Sequence, residues 1–326
     1  MQIIYNPYRN LNLKNLYKTN LHSHTTESDG REYPKNWIKE YSFRKYDILS
    51  LTDHDRIHTP QPTWPWCKYI DQPIHTFHNS EIYNVNNRDI LAVQGNELSM
   101  NHHIISFLNN LWDDQEEYIK KRNNLKYTLK RIEQKQGLSF FCHPWFYKKH
   151  GGNWKRGLSS RKIAKLIKKF RNCLGIEIWT GTSRTHLNAG EDIWDEILVR
   201  NKKCLGIATD DAHVINTIGD GYILVYLSNL NEDCFRQSLI QGKFLTATEF
   251  TNDLPVITSI ESNDKEIWIS GEFDKVEWKY NKKVICEGPG FELKDKISYV
   301  RAVIHNGISQ IYTQPFLTNY DRKFLF

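Results

Sequence analysis

The sequence predicts an α/β protein over residues 1–250, followed by a small all-β region over residues 251–326. Three observations carry this reading. First, short β-branched runs alternate with segments of helical period up to Glu249, the pattern of a mainly parallel sheet, open or closed into a barrel. Second, runs such as YDILSLT (46–52) are largely apolar, as strands buried on both faces must be. Third, helical period stops after Glu249. Short alternating runs follow (PVITSIES, EIWISGE, KVEWKYN, KVICEG, SYVRAVIHN, QIYTQPF), separated by turn residues.

The predicted strands of the first region are 18–21, 47–52, 90–97, 103–108, 138–142, 174–179, 204–208 and 222–227. The predicted helices are 34–45, 114–135, 160–170, 191–201 and 232–241, the first opened by Pro34, which suits an initial helical turn. Residues 59–89 break the rhythm. They are rich in Pro, Trp and Asn without helical period, and read either as a lid with Trp64 and Trp66 free to stack, or as a surface insertion.

A chain of 326 residues with 39% hydrophobic residues can bury a substantial core. No apolar run is long enough to span a membrane, and the opening residues lack a signal-peptide pattern. Six scattered cysteines with no CxxC pair read as reduced thiols, which points to the cytoplasm. Net charge is only +6, but between Lys120 and Arg171 the sole acid is Glu133. That segment is either two solvated helix faces or an electrostatic funnel for an anion.

Ionisable residues gather where the predicted strands end. His22 and His24 close the first, with Asp29-Gly30 beyond; residues two apart in a strand face one side, so both imidazoles aim at one spot. Thr52-Asp53-His54-Asp55 closes the second and Glu97 the third. His102-His103 opens the fourth and His143-Pro144 follows the fifth. Glu177 lies in the sixth, and Asp210, Asp211 and His213 follow the seventh. Each alone reads as a cap, a turn or a satisfied core residue. Together they would be costly to bury without bound cations. The mixed nitrogen and oxygen donors suit zinc, manganese or iron, and their number implies two or three divalent ions with Glu97 bridging a pair. Such centres activate water and clamp phosphoryl groups.

Read in order, HxH, DG, TDHD, an isolated Glu, His, HP and DxH resemble the PHP (polymerase and histidinol phosphatase) family over residues 18 to about 250. The stretches GIEIWTG, EDIWDEILVRNKK, QGKFLTATE and YVRAVIHNGISQIYTQPF are similar to its CehA/McbA-like branch, which carries a small C-terminal β-domain. The resemblance implies a distorted (β/α)7 TIM-like barrel. It also implies three ligand groups: His22, His24, Glu97 and Asp211; Glu97, His103 and His143; and Asp29, His54 and His213. His103 fits the family pattern better than His102, and Asp211 better than Asp210. Some members carry His where this chain has Asp29. The implied reaction is metal-dependent phosphoester hydrolysis. Asp211 would orient or deprotonate water, His213 or Asp55 would protonate the leaving oxygen, and Lys148, Lys149, Arg156 and Arg184 are candidates for phosphate contacts. The expected partner is a small anionic phosphomonoester such as a nucleotide. Carbamate or ester hydrolysis at the same metals, and cleavage of nucleic-acid ends, stand as alternatives.

Overall fold

The computed structural model describes residues 2–54, 63–99, 102–109, 121, 124–145, 147–150, 153–156, 158–181, 189–201, 203–294 and 296–319. Its strands, in chain order, are β1 (Ile3–Tyr5), β2 (Leu16–Asn20), β3 (Ile48–Leu49), β4 (His75–Thr76), β5 (Ser80–Val85), β6 (Arg88–Val93), β7 (Gly95–Leu98) and β8 (Ile104–Phe107). They continue with β9 (Leu138–Phe141), β10 (Tyr147–His150), β11 (Asn153–Arg156), β12 (Cys173–Thr180), β13 (Leu205–Thr209), β14 (Gly221–Tyr226) and β15 (Phe244–Thr248). Then come β16 (Val256–Ser262), β17 (Glu266–Glu272), β18 (Lys275–Tyr280), β19 (Lys283–Glu287), β20 (Gly290–Glu292), β21 (Tyr299–Asn306), β22 (Ser309–Tyr312) and β23 (Phe316–Thr318). The described helices are α1 (Pro34–Phe43), α2 (Leu125–Gln134), α3 (Ser160–Lys169), α4 (Ala189–Leu198) and α5 (Glu232–Ile240).

The fold is mixed α/β. β2, β3 and β6 are parallel neighbours in one large sheet, and β9, β12 and β13 are parallel neighbours in a second. Antiparallel pairs flank both groups: β14 beside β2, and β7–β8–β9 in the second sheet. The described residues form no closed barrel. The two sheets meet instead at isolated bridges, Ser23 with Ala212 and His54 with Glu97. Six residues of the ligand pattern thus lie at or beside the junctions: His54 and Glu97 form one bridge, His22 and His24 flank Ser23, and Asp211 and His213 flank Ala212.

The expected strand 90–97 is two strands, β6 in one sheet and β7 in the other. Gln94 links them: its N–H donates to Asn79 O and its carbonyl accepts from Leu108 N. At Gly95 an added Cβ would lie 2.2 Å from Ser50 Oγ, so a larger residue would have to displace that side chain. Part of the irregular segment 59–89 is also ordered structure. β5 and β6 form a hairpin around Asn86 and Asn87, whose φ values of 52° and 62° are those a tight twisted turn demands. Trp66 is buried against Tyr83, so it is a core residue and not a stacking platform. Trp64 packs on the same core, and residues 55–62 lie outside the described residues.

The helices follow the sequence expectation with shorter ends. α1 buries Trp37, Ile38 and Tyr41; each such side chain is worth about 1.5–3 kcal/mol of burial. α3 turns Ile163, Leu166 and Ile167 inward and leaves its lysines in solvent. Of the expected helix 114–135, the described part is α2, capped by Asn124, whose side chain accepts from Lys126 N and Tyr127 N.

After residue 250 only strands are described. β18, β19, β21, β22 and β23 are continuous with the large sheet, because β22 pairs with β15 and β21 with β22, while β16, β17 and β20 form a separate three-stranded sheet. β1 pairs with β23, so the N-terminal residues belong beside the last strand.

Candidate metal centre

Beyond β2 the chain stays extended through His22, Ser23 and His24, held by His24 N donating to Ala212 O and Thr52 N donating to Ser23 O. The two imidazoles face one point, with Nε2 atoms 3.1 Å apart. Glu97 Oε2 lies 3.4 Å from His22 Nε2 and 3.3 Å from His24 Nε2. Asp211 Oδ1 lies 3.4 and 3.3 Å from the same two atoms. All four residues are buried.

Around Glu97 Oε1 stand His103 Nδ1 at 2.7 Å and His143 Nε2 at 3.4 Å. Around Asp29 stand His213 Nε2 at 3.5 Å and His54 Nε2 at 3.4 Å. His24 also presents Nδ1 to Asp29, at 3.5 Å. His54 presents Nδ1 to Glu97 Oε2, at 2.8 Å. All nine residues of the ligand pattern are therefore together, and His24 and His54 each touch two groups.

The donors fit divalent ions. Ligands at about 2.0–2.1 Å around a tetrahedral ion are separated by about 3.3–3.4 Å, the spacing of the first group. Glu97 Oε2 and His54 Nδ1 are buried without a hydrogen-bond partner even though they are close neighbours. Burial without a partner is costly for a carboxylate, and coordination removes that cost.

The electrostatics is that of a cation trap. Burial alone would raise the Glu97 carboxyl, but His22 and hydrogen bonds from His103 and His143 hold it well below its usual range. Asp211 is likewise held low against burial, by His22 and His24. Burial would lower His54, yet Asp29 and Glu97 lift it to about 10. Asp211 and His143 adopt φ of 44° and 24°, a region that costs a side-chain-bearing residue about 1–3 kcal/mol and clusters at functional sites.

The surrounding sequence explains the aim. Thr25 N and Oγ1 and Ser28 Oγ all donate to Asp53, so the second residue of TDHD anchors the turn bearing Asp29. Gly30 is required there, because a Cβ would lie 2.0 Å from His24 O. Asp210 turns away from the cluster and accepts from Tyr41, Tyr46, Gly219 N and Gly221 N. His102 lines a neighbouring groove while His103 faces Glu97.

Glu177 carries a role its sequence position did not disclose. It is fully buried and accepts from His22 Nδ1, Thr209 Oγ1 and His143 N, each at 2.7 Å. The only sequence signal was an acid in the middle of an apolar strand. Cys142 also lies within ligand distance of His22 and Glu97. Asp55 and Arg184 lie outside the described residues. Lys148, Lys149 and Arg156 stand on the hairpin β10–β11, where only the backbone is described.

No family model matches the sequence, and no curated protein matches it. Solved structures do. A two-domain protein from Bacteroides vulgatus, described as containing a predicted PHP-like metal-dependent phosphoesterase, is 15% identical. The match covers 96% of this chain and 90% of that one, with a TM-score of 0.51. The lesion-specific endonuclease PfuEndoQ from Pyrococcus furiosus is 12% identical over 74% of this chain and 62% of its own, with a TM-score of 0.47. PsfC from Pseudomonas syringae is 14% identical over 69% of this chain and 88% of its own, with a TM-score of 0.45. At such identity the likeness is one of fold: along nearly its whole length, this chain has the fold of a two-domain protein with a PHP-like phosphoesterase.

Proposed function

We propose that this chain is a metal-dependent hydrolase of small phosphomonoesters, nucleotides among them, of PHP type and of the CehA/McbA-like branch. In this reading residues 1–250 are a distorted (β/α)7 barrel around the centre, and residues 251–326 are a β-domain that caps it. The observation that carries it is the first donor group, two imidazoles and two carboxylates with five separations between 3.1 and 3.4 Å.

His22, His24, Glu97 and Asp211 would hold one ion. Glu97, His103 and His143 would hold a second, and Asp29, His54 and His213 a third. Zinc, manganese or iron in these sites supplies Lewis acidity and a water acidic enough to act as nucleophile at neutral pH. Asp211 would orient the attacking water and take its proton. Where the third ion is absent, His213, a third exposed, would return a proton to the leaving oxygen; where His213 holds that ion, Asp55 would fill the role. Lys148, Lys149, Arg156 and Arg184 would meet the substrate phosphate. The six cysteines form no disulfide, which supports a reducing, cytoplasmic setting. No described helix is long and apolar enough to cross a membrane.

The test is phosphate release by protein loaded with Mn(II), Zn(II) or Fe(II), against nucleotides, sugar phosphates and phosphodiesters, with Asp211→Asn as control. Metal-dependent release that the substitution abolishes is the expected result. Bound metal without release from any substrate would refute phosphoester chemistry and turn attention to carbamates and carboxylic esters.

A further inference from the structure

Of the six cysteines, Cys142 alone joins a group of candidate metal donors among the described residues. Its Sγ, a ring nitrogen of His22 and a carboxylate oxygen of Glu97 all lie within 4.8 Å of one another. It forms a second such group with His143 and Glu177. Metal bonds of about 2.3 Å to sulfur and about 2.1 Å to nitrogen put opposite donors of one ion up to about 4.4 Å apart. The observed spacing is therefore close to the span of one coordination sphere.

The sulfur is placed by the same elements that place the histidines. Cys142 N donates to His103 O at 3.1 Å, and the next residue in the chain is His143. Cys142 is 4% exposed, and the charges its thiol feels are the carboxylates of Glu177, Glu97 and Asp211.

A buried cysteine is ordinarily a small apolar filler. Cys173 and Cys204 fit that description: both belong to an apolar cluster, and Cys204 Sγ donates to Leu205 O. Cys142 packs on apolar side chains too, but its sulfur also lies among ionisable donors. One of those donors calls for a cation in its own right. Glu97 is 1% exposed, and its Oε2 has no hydrogen-bond partner.

We propose that Cys142 supplies a thiolate to the ion held by His22, His24, Glu97 and Asp211, and that this donor makes the centre prefer zinc to manganese. Thiolate is a soft donor suited to zinc, whereas manganese favours carboxylate and water. The thiol proton passes to solvent as the sulfur–metal bond forms. This rests on the metal centre of the proposed function, but not on which bond that centre hydrolyses.

The experiment is titration of the reduced, metal-free full chain with Co(II), followed in the near ultraviolet, where a cobalt-bound thiolate gives an intense charge-transfer band. The band is expected in the wild type and in Cys234→Ser, and is expected to vanish in Cys142→Ser and Cys142→Ala. Competition dialysis supplies a second readout. Loss of an outer partner of a metal ligand costs about 10–100-fold in affinity. Loss of a direct donor in Cys142→Ser should therefore weaken zinc binding by about tenfold or more, with manganese binding changed less than about twofold. Cobalt bound by the wild type without the band, or a band that survives both Cys142 substitutions, would overturn the proposal and leave the metal centre standing. No cobalt bound by the wild type would remove the centre and the thiolate with it. The band together with zinc preference, but without phosphate release from any substrate, would support the thiolate and refute the phosphoesterase alone.

Discussion

Nδ1 of His22 lies 2.7 Å from Oε1 of Glu177, inside the protein where neither side chain meets solvent. A hydrogen bond there keeps the proton on Nδ1 and leaves the lone pair of Nε2 facing Glu97 and Asp211. Glu177 also accepts from His143 N, so it sets the ring of one candidate ligand and the backbone of another. It is a positioning residue.

Replacing Glu177 by Gln puts an amide N–H₂ against one of three donors that now point at carboxylate oxygen. The expected result is a loss of about 10–100-fold in metal affinity with the far-UV circular dichroism unchanged. Equilibrium dialysis against zinc would measure it. Wild-type affinity in Glu177→Gln would remove the orienting role.

Glu97 is the common neighbour of five imidazoles. Oε1 faces His103 and His143, and Oε2 faces His22, His24 and His54. Glu97→Gln turns a bridging anion into a neutral group with one acceptor oxygen. Metal content and turnover should fall together, each to a few per cent of wild type or less, on the order of the 2–3 kcal/mol that a charged buried contact carries. A variant that keeps both would show that Glu97 does not bridge.

Asp210 and Asp211 are adjacent in sequence and opposite in environment. Asp211 faces the histidines, while burial pushes the Asp210 carboxyl up to about 6 and four donors hold it in place. Asp211→Asn is therefore expected to lose bound metal. Asp210→Asn is expected to keep it and to lose about 1–3 kcal/mol of stability, because two backbone and two tyrosine donors lose their anion. Metal analysis and thermal melts of the two variants decide the assignment. Loss of metal in Asp210→Asn at unchanged Tm would reverse it.

The pattern of ligands was legible in the sequence because each is local. A histidine pair two apart aims at one spot wherever the chain is extended, and Asp29-Gly30 is a turn wherever it occurs. Sheet connectivity was not legible, because it depends on contacts distant in sequence. The run 90–97 looks like one strand, but it passes from one sheet to the other at Gln94, whose backbone partners Asn79 and Leu108 lie in other segments of the chain. Trp66 looked available for stacking because its burial against Tyr83 depends on the β5–β6 hairpin closing over it. Glu177 was visible as an acid in an apolar strand, but its partners come from β2's extension, from β13 and from the turn after β9, which no local pattern brings together.

Arg301 shows how tightly the C-terminal strands are tied to the rest. It is fully buried on β21, donates from Nε and Nη2 to Asp195 and from Nη2 to Glu191, and stands over the Trp194 ring. Lys279 also reaches Glu191, and Tyr299 donates to Asp195. Both acids lie on α4, so the cluster binds that helix to β18 and β21. Arg301→Met strands two buried carboxylates and should cost about 3–5 kcal/mol at pH 7. The cost should depend on pH, with a sign that follows from Glu191. Burial alone would raise its carboxyl, but Arg301 and Lys279 hold it below its usual value. A depressed folded value stabilises above the unfolded value of about 4.3, and that stabilisation is lost as pH falls through the folded one. Without Arg301, Glu191 takes up its proton more readily, and a neutral acid no longer needs the missing cation. The stability gap between wild type and Arg301→Met, read from urea unfolding, should therefore be widest at neutral pH and narrow below about pH 4. A gap that stays constant across that range would mean that Arg301 acts through packing on Trp194 and not through its charge.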